Sequence, residues 1–163
     1  MATVILLKAD ELTKNTILGG NIDVSRYSYA IKDAQNTLIK EVLTKPLYEK
    51  IQQDFRNNDL TGVYLEMYDD YIQPMVIYAA AELYLSIGAY KVSDAGITKL
   101  NSLEGTTSAT RQEIAMLVQS ARRMFEYYKS DFEKWIKTVN IIEYANSCTA
   151  DRILVGGWSI KKK

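Results

Sequence analysis

Histidine is missing from the chain altogether. Serine-histidine and cysteine-histidine nucleophile pairs, the Glu-x-x-His motif of di-iron bundles and most zinc sites need an imidazole that is neutral or switchable near pH 7, so the familiar forms of those sites are excluded. Cysteine is nearly missing: Cys148 stands alone, which rules out a disulfide within the chain, leaves stability to packing and gives no sign of an oxidising compartment. Net charge is missing too. Twenty basic residues offset twenty acidic ones, so no overall field draws the molecule onto nucleic acid or an anionic membrane, and any contact with DNA must be local. The opening MATVILLKADE shows a short apolar run with no basic residue ahead of it; it is not read as a secretion signal, and the expected place of synthesis is a cytoplasm.

Long apolar runs are equally scarce. The one candidate is YIQPMVIYAAAELYLSIGAY, Tyr71 to Tyr90, in which Glu82 is the only charged residue. A membrane-spanning helix needs roughly 20 apolar residues to cross a core about 30 Å thick. Here Pro74 sits near the start, Glu82 near the middle, and Asp69 and Asp70 precede the run where basic residues would be favoured. The stretch is therefore read as a helix apolar on nearly all sides, lying at the centre of a bundle or covered partly by a neighbouring subunit. Glu82, if buried there, needs a partner, and Arg122 or Arg123 would serve.

What is present is helical periodicity. Val4 to Leu7 reads as a short strand or extended arm, followed by a helix from Asp10 to about Thr16 that ILGGN stops. Asp23 or Ser25 can cap the next helix, whose apolar stripe is Tyr27, Ile31, Ala34, Leu38 and Val42. Pro46 opens a further helix with Leu47, Ile51 and Phe55 on one face, and RNNDLTG is the turn after it. From Val63 a helix runs into Pro74, where a break or kink is expected near Gln73. Ser93-Asp94-Ala95-Gly96 suits a hairpin turn with Gly96 in the left-handed position and Val92 and Ile97 flanking it. Thr110 to Glu113, TRQE, is a capping box, and the long helix it opens carries Ile114, Leu117, Ala121, Phe125, Tyr128, Phe132 and Trp135 on one face.

Apolar residues at 47% and charged residues at 25% are ordinary for a folded soluble domain, and the length suits one domain rather than two. The expected fold is mainly α. It is a helical bundle of about four to five helices with a small β-hairpin or loop near 91–98 in a body spanning 10–137, flanked by extended arms at 1–9 and 138–163.

No constellation reads as a catalytic centre. Glu66, Asp69 and Asp70 fall on one helical face and are read as a solvated acidic surface rather than a cation site or acid-base pair. Arg122, Arg123, Lys129 and Lys161 to Lys163 are the only basic clusters, too few and too little mixed with aromatics for a nucleic-acid surface. The twelve tyrosines are expected mostly at core edges and subunit contacts. The glycine pairs Gly19-Gly20 and Gly156-Gly157 lack the pattern of a phosphate loop. No metal, cofactor or catalytic residue is expected.

One resemblance goes further than composition. LGGNID, then YAIKDAQNTLIKEVLTKPLYEKI, then YDDYIQPMVIYAAAELYLSIGAYKVSDAGI resemble the small head-tail connector proteins of tailed phages, specifically those of crAss-like and related phages of Bacteroidetes. The likeness is strongest from Ile17 to Ile97 and rests on Ala34-Gln35, Leu47-Tyr48, Tyr71 to Pro74, and Gly96-Ile97 in that order and spacing. The resemblance implies a mostly helical, non-enzymatic virion protein made in the host cytoplasm and resident in the neck. Twelve copies would form a ring beneath the portal protein, beside adjacent neck and tail rings, and genomic DNA would pass through the lumen without specific binding. It also implies that hairpins and terminal arms make the contacts between subunits. The candidate interface residues are Val4 and Leu6 in the first arm, Val92, Asp94, Gly96 and Ile97 in the hairpin, and Ile153, Leu154, Val155 and Trp158 in the tail. An exposed apolar segment rarely lacks a use. The rival from another class is a cytoplasmic helical regulator that binds DNA or a partner protein, and a third is a carboxylate metalloenzyme built on Glu66, Asp69 and Asp70.

Overall fold

The apolar stretch after Pro74 forms a helix in the interior. The computed structural model describes residues 4–18, 24–87, 90–93, 96–99 and 109–145. Its helices are α1 (Ala9–Asn15), α2 (Val24–Ala34), α3 (Lys40–Leu43), α4 (Lys45–Asn57), α5 (Gly62–Met67), α6 (Gln73–Ile87) and α7 (Arg111–Trp135). Between α6 and α7 in the chain lies an antiparallel pair, β1 (Tyr90–Ser93) and β2 (Gly96–Lys99). The protein is a mainly α bundle.

Helix α6 packs against α7, α2 and α1. Met75, Val76, Ile77, Ala79, Ala80, Ala81 and Tyr84 are buried, and the three consecutive alanines, 100° apart around the axis, let neighbours approach closely on several sides. The helix that is apolar all round is thus covered within its own chain, so the need for a second subunit to hide it, one of two alternatives in the sequence, falls away. Glu82 is mostly shielded and pairs with Arg122 at 3.5 Å, as a carboxylate on such a helix requires. Among the described residues no helix is long and apolar enough to cross a membrane.

Two of the helical rods contain a π segment. The first, Gln35–Ile39, joins α2 to α3 and the second, Tyr68–Ile72, joins α5 to α6. The irregularity expected near Gln73 takes the form of the second π segment rather than an end to the helix. Gln73 keeps helical angles and donates its N–H to the Tyr68 carbonyl five residues back. This wider turn ahead of Pro74 accommodates a residue that has no N–H and whose ring would crowd an α-helical turn. In the first π segment the Lys40 N–H likewise reaches the Gln35 carbonyl, and the inserted residue shifts the inward face. Tyr27, Ile31 and Ala34 are buried as expected, but beyond them the core takes Gln35, Ile39 and Leu43 while Leu38 and Val42 are only partly covered.

Local signals account for the remaining boundaries. Pro46 occupies the first turn of α4, and Asn58 closes that helix in the left-handed conformation at φ 54°. Thr110 accepts the Glu113 N–H at 3.2 Å while the Glu113 carboxylate accepts the Thr110 N–H at 2.7 Å, the reciprocal cap read from TRQE. The bonds from Thr110 hold the Glu113 carboxyl below its ordinary pKa. From Ala121 onward α7 buries Ala121, Phe125 and Phe132, whereas Met116 and Leu117 in its first turns stay exposed. In the hairpin Val92 faces Ile97 and Ser93 pairs with Gly96. Gly96 therefore begins β2, and the Ser93–Gly96 pair closes the hairpin that the sequence predicts there.

Candidate functional site

The N-terminal arm is not free. Leu6 and Leu7 are 0% and 2% exposed and belong to the chain's own core, which corrects the reading of Leu6 as a residue offered to a neighbour. Three polar side chains hold the arm by its backbone. Gln35, itself fully buried, accepts the Leu6 N–H on Oε1 at 2.7 Å and donates from Nε2 to the Val4 carbonyl at 2.9 Å. One amide thus pairs with the arm in the way a neighbouring strand would. Gln52 donates to the same Val4 carbonyl at 3.3 Å and to the Tyr48 hydroxyl at 3.0 Å, and Tyr68 donates its hydroxyl proton to the Leu6 carbonyl at 2.6 Å. Burial, aided by the charges of Glu11 and Asp69, pushes the Tyr68 pKa well up, so that proton stays in place. Val4 is half-buried, its carbonyl engaged from within.

The clasp gathers residues that the resemblance singled out. Ala34 and Gln35 lie where α2 passes into its π segment, and Leu47 and Tyr48 open α4. Sequence reasoning marked these residues but missed what they do. The available signal was Gln35 itself, an amide four residues after the buried Ile31 and therefore on an inward face.

A second cluster is aromatic. Tyr71 packs on Trp135 with ring centres 5.0 Å apart and on Phe132 at 6.2 Å, and Phe132 meets Tyr144 edge-on at 5.9 Å. The Trp135 indole N–H donates to Glu66 at 3.2 Å, and the Tyr64 hydroxyl donates to Glu143 at 2.9 Å. Burial first, then the Glu143 carboxylate, push the Tyr64 hydroxyl up to about 12. This seam ties the α5 rod to the end of α7 and to the turn at 142–145. It also removes Glu66 from the carboxylate trio, leaving Asp69 and Asp70 exposed. Among the described residues no group of three or more His, Cys, Asp or Glu is placed to hold a metal.

Depressions also lie between the helices among the described residues. A polar cleft of 700 Å³ lies between the first π segment and α4, walled by Asn36, Lys40, Glu49, Gln52 and Arg56. An apolar groove of 270 Å³ runs between the end of α1, the second half of α6 and the first half of α7, lined by Ile17, Leu18, Tyr78, Leu85, Leu117 and Met124. Its rim is wet: Ile17 is 69% and Leu117 37% exposed, and Met116 beside it is 66% exposed. Asp94, Ile153, Leu154, Val155 and Trp158 lie outside the described residues. Of the other candidate interface residues, Val92, Gly96 and Ile97 form the hairpin ladder.

Residues 39–152 match the family of unknown function DUF6712. The chain belongs to this family. The matched span runs from the first π segment through the central helix, the hairpin and α7, so it includes the aromatic seam and omits Gln35 and the arm that Gln35 holds. No curated protein and no solved structure matches the chain.

Proposed function

We propose that this chain is a structural subunit of a phage neck, a head-tail connector that assembles as a ring beneath the portal and extends the channel for DNA toward the tail. The likeness of Ile17 to Ile97 to that class of protein carries the reading. Apolar surface supports it: Ile17, Met116, Ile87 and Leu65 are each exposed by more than 40%, and a chain with this much exposed aliphatic surface is suited to burying it against copies or partners. The mechanism is assembly, with no turnover: apolar area between copies is removed from water, the hairpin and tail reach adjacent chains, and the clasped N-terminal arm stays with its own subunit. A lumen for sliding DNA calls for little attraction, which agrees with a net charge of +0.

The test is the mass of the intact assembly. Native mass spectrometry of the purified chain alone, and mixed with the portal protein of the same phage, should give a closed ring of identical copies in at least the mixture, twelve being the number the resemblance implies. A strict monomer that ignores the portal overturns the proposal. A stable dimer with a salt-sensitive shift of duplex DNA, and absence from purified particles, would put the helical regulator in its place.

A further inference from the structure

We propose that the apolar groove between α1, α6 and α7 of one copy receives the β1–β2 hairpin of the next, with Val92 and Ile97 as the inserted pair; the inference names a contact within the proposed ring and so rests on the connector reading. Val92 is paired directly with Ile97 in the ladder, and Tyr90 with Lys99. Residues two apart along a strand share a face, so Tyr90, Val92, Ile97 and Lys99 occupy one side of the ribbon, and Lys91, Ser93, Gly96 and Thr98 the other. By composition the first face is mainly apolar. An isolated two-stranded ribbon is at best marginally stable in water, and among the described residues the strands' principal contact is with each other rather than with any helix. The ribbon needs a surface to lie on. An engineered cavity of about 150 Å³ lined by aliphatic side chains lodges benzene, so a groove of 270 Å³ has room for a valine and an isoleucine side chain together. Directly opposed strand residues, with Cβ atoms about 4.5–5.5 Å apart, present such a pair as one knob.

Placement selects a second copy over the chain's own hairpin. Ile17, Met116 and Leu117 at the groove's rim stay 69%, 66% and 37% exposed in a chain whose own hairpin is attached close by, so that hairpin does not cover them. Yet groove and hairpin sit at the same end of the bundle. Leu85 and Leu117, which line the groove, lie in the last turn of α6 and the second turn of α7, and β1 starts at Tyr90, soon after α6 ends at Ile87. Copies related by rotation about one axis, with no shift along it, keep equal ends level. The hairpin of each can then meet the groove of the next all the way round, whereas a contact that required a shift along the axis would build an open filament. Ile87, 52% exposed at the root of the hairpin, lies at this level and would be covered in the same contact.

The experiment uses the full-length chain with Cys148→Ser as background, with and without the portal protein of the same phage. One copy carries Lys99→Cys, two residues from Ile97 on the inserted face, and another carries Ser120→Cys, in the groove; oxidation of the mixture at low micromolar concentration is followed on non-reducing gels and by mass. In at least the arm with portal, the expected product is a mixed disulfide dimer, formed roughly tenfold or more faster than with Ser130→Cys in place of Ser120→Cys, because docking holds the two thiols together; Ser130 is exposed on the same helix. Adding Leu117→Asp to the groove copy should abolish that advantage. Equal rates for the two partners overturn the docking, as does a predominance of disulfide within one chain when Lys99→Cys and Ser120→Cys are placed together. Native mass spectrometry separates this result from the ring itself: closed wild-type rings with equal rates reject the docking and leave the connector reading standing, whereas fast mixed dimers without closed rings keep the docking and reject the ring. A second readout needs no introduced cysteine. Ile97→Asp spoils the hairpin face and Leu117→Asp the groove, so a mixture of the two variants retains one intact hairpin and one intact groove, and its assembly should stop at a one-to-one pair. Closed rings from that mixture overturn the proposal.

Discussion

Replacing Gln35 with leucine isolates what holds the N-terminal arm. Burying Leu6 and Leu7 stabilises the arm by about 1.5–3 kcal/mol each, so by about 3–6 kcal/mol together, while fixing the backbone of Val4 to Leu7 costs about 1–2 kcal/mol per residue, or about 4–8 kcal/mol. Apolar burial alone therefore leaves the arm near balance, and the polar clasp decides. Gln35→Leu removes two hydrogen bonds, at about 0.5–1.5 kcal/mol each, and strands the buried Leu6 N–H, for which Gln35 is the partner, at about 1–3 kcal/mol. These overlap, since the arm can leave before the full penalty is felt; the expected loss is about 2–3 kcal/mol, or roughly 5–10 °C in Tm for a domain of this size.

The assay is urea unfolding of the wild type, Gln35→Leu, Tyr68→Phe and the double variant, with amide exchange read at Leu6. Tyr68→Phe alone removes the bond to the Leu6 carbonyl and should cost about 1 kcal/mol. Both side chains grip the same residue, so once either releases the arm the other has nothing left to hold. The double variant should lose less than the sum by about 0.5 kcal/mol or more. Strict additivity, or a Gln35→Leu change below about 0.5 kcal/mol with the Leu6 amide still protected, refutes the clasp as the deciding element.

Other positions give simpler tests. Thr44 links α3 to α4 at φ 67°, ψ 157°, and its hydroxyl is buried without a partner; Thr44→Gly should relieve strain of about 1–3 kcal/mol, less about 0.5–1 kcal/mol of added chain entropy, and a lower urea midpoint would contradict that. Thr110→Ala breaks the cap of α7 and should cost about 1 kcal/mol, with faster exchange confined to the first turn of that helix; protection unchanged there would show that the cap is idle. Because the Tyr64 pKa is raised to about 12 from its ordinary 10, the folded state holds that proton more tightly than the unfolded one. Its contribution is complete below pH 10 and declines as the pH climbs through 12. Tyr64→Phe should lose less stability than the wild type over that interval, and parallel curves would remove Tyr64 from the alkaline transition.

What the sequence made legible follows from range. The TRQE cap and the face of α7 that follows it are local patterns, and they mark the start of that helix and its buried residues Ala121, Phe125 and Phe132. Glu82 with Arg122 was readable for another reason: a carboxylate on an otherwise apolar helix demands a cation, and few were in reach of it. Pro74 marked the place of an irregularity but not its form, since a π turn absorbs the missing donor without ending the rod. The clasp was illegible for a deeper reason. Stripe counting favours apolar residues at each step and so carried the face of α2 through Leu38 and Val42, whereas an inserted residue turns Gln35, Ile39 and Leu43 inward. Gln35 points inward because the Leu6 N–H needs an acceptor and the Val4 carbonyl a donor once both leucines are buried, and the arm is extended because a single amide can then serve two of its residues. Each half explains the other, yet they sit far apart in the chain. Complementarity of that kind leaves no period in the sequence, and the residue that betrays it is the one polar side chain standing where a leucine would fit.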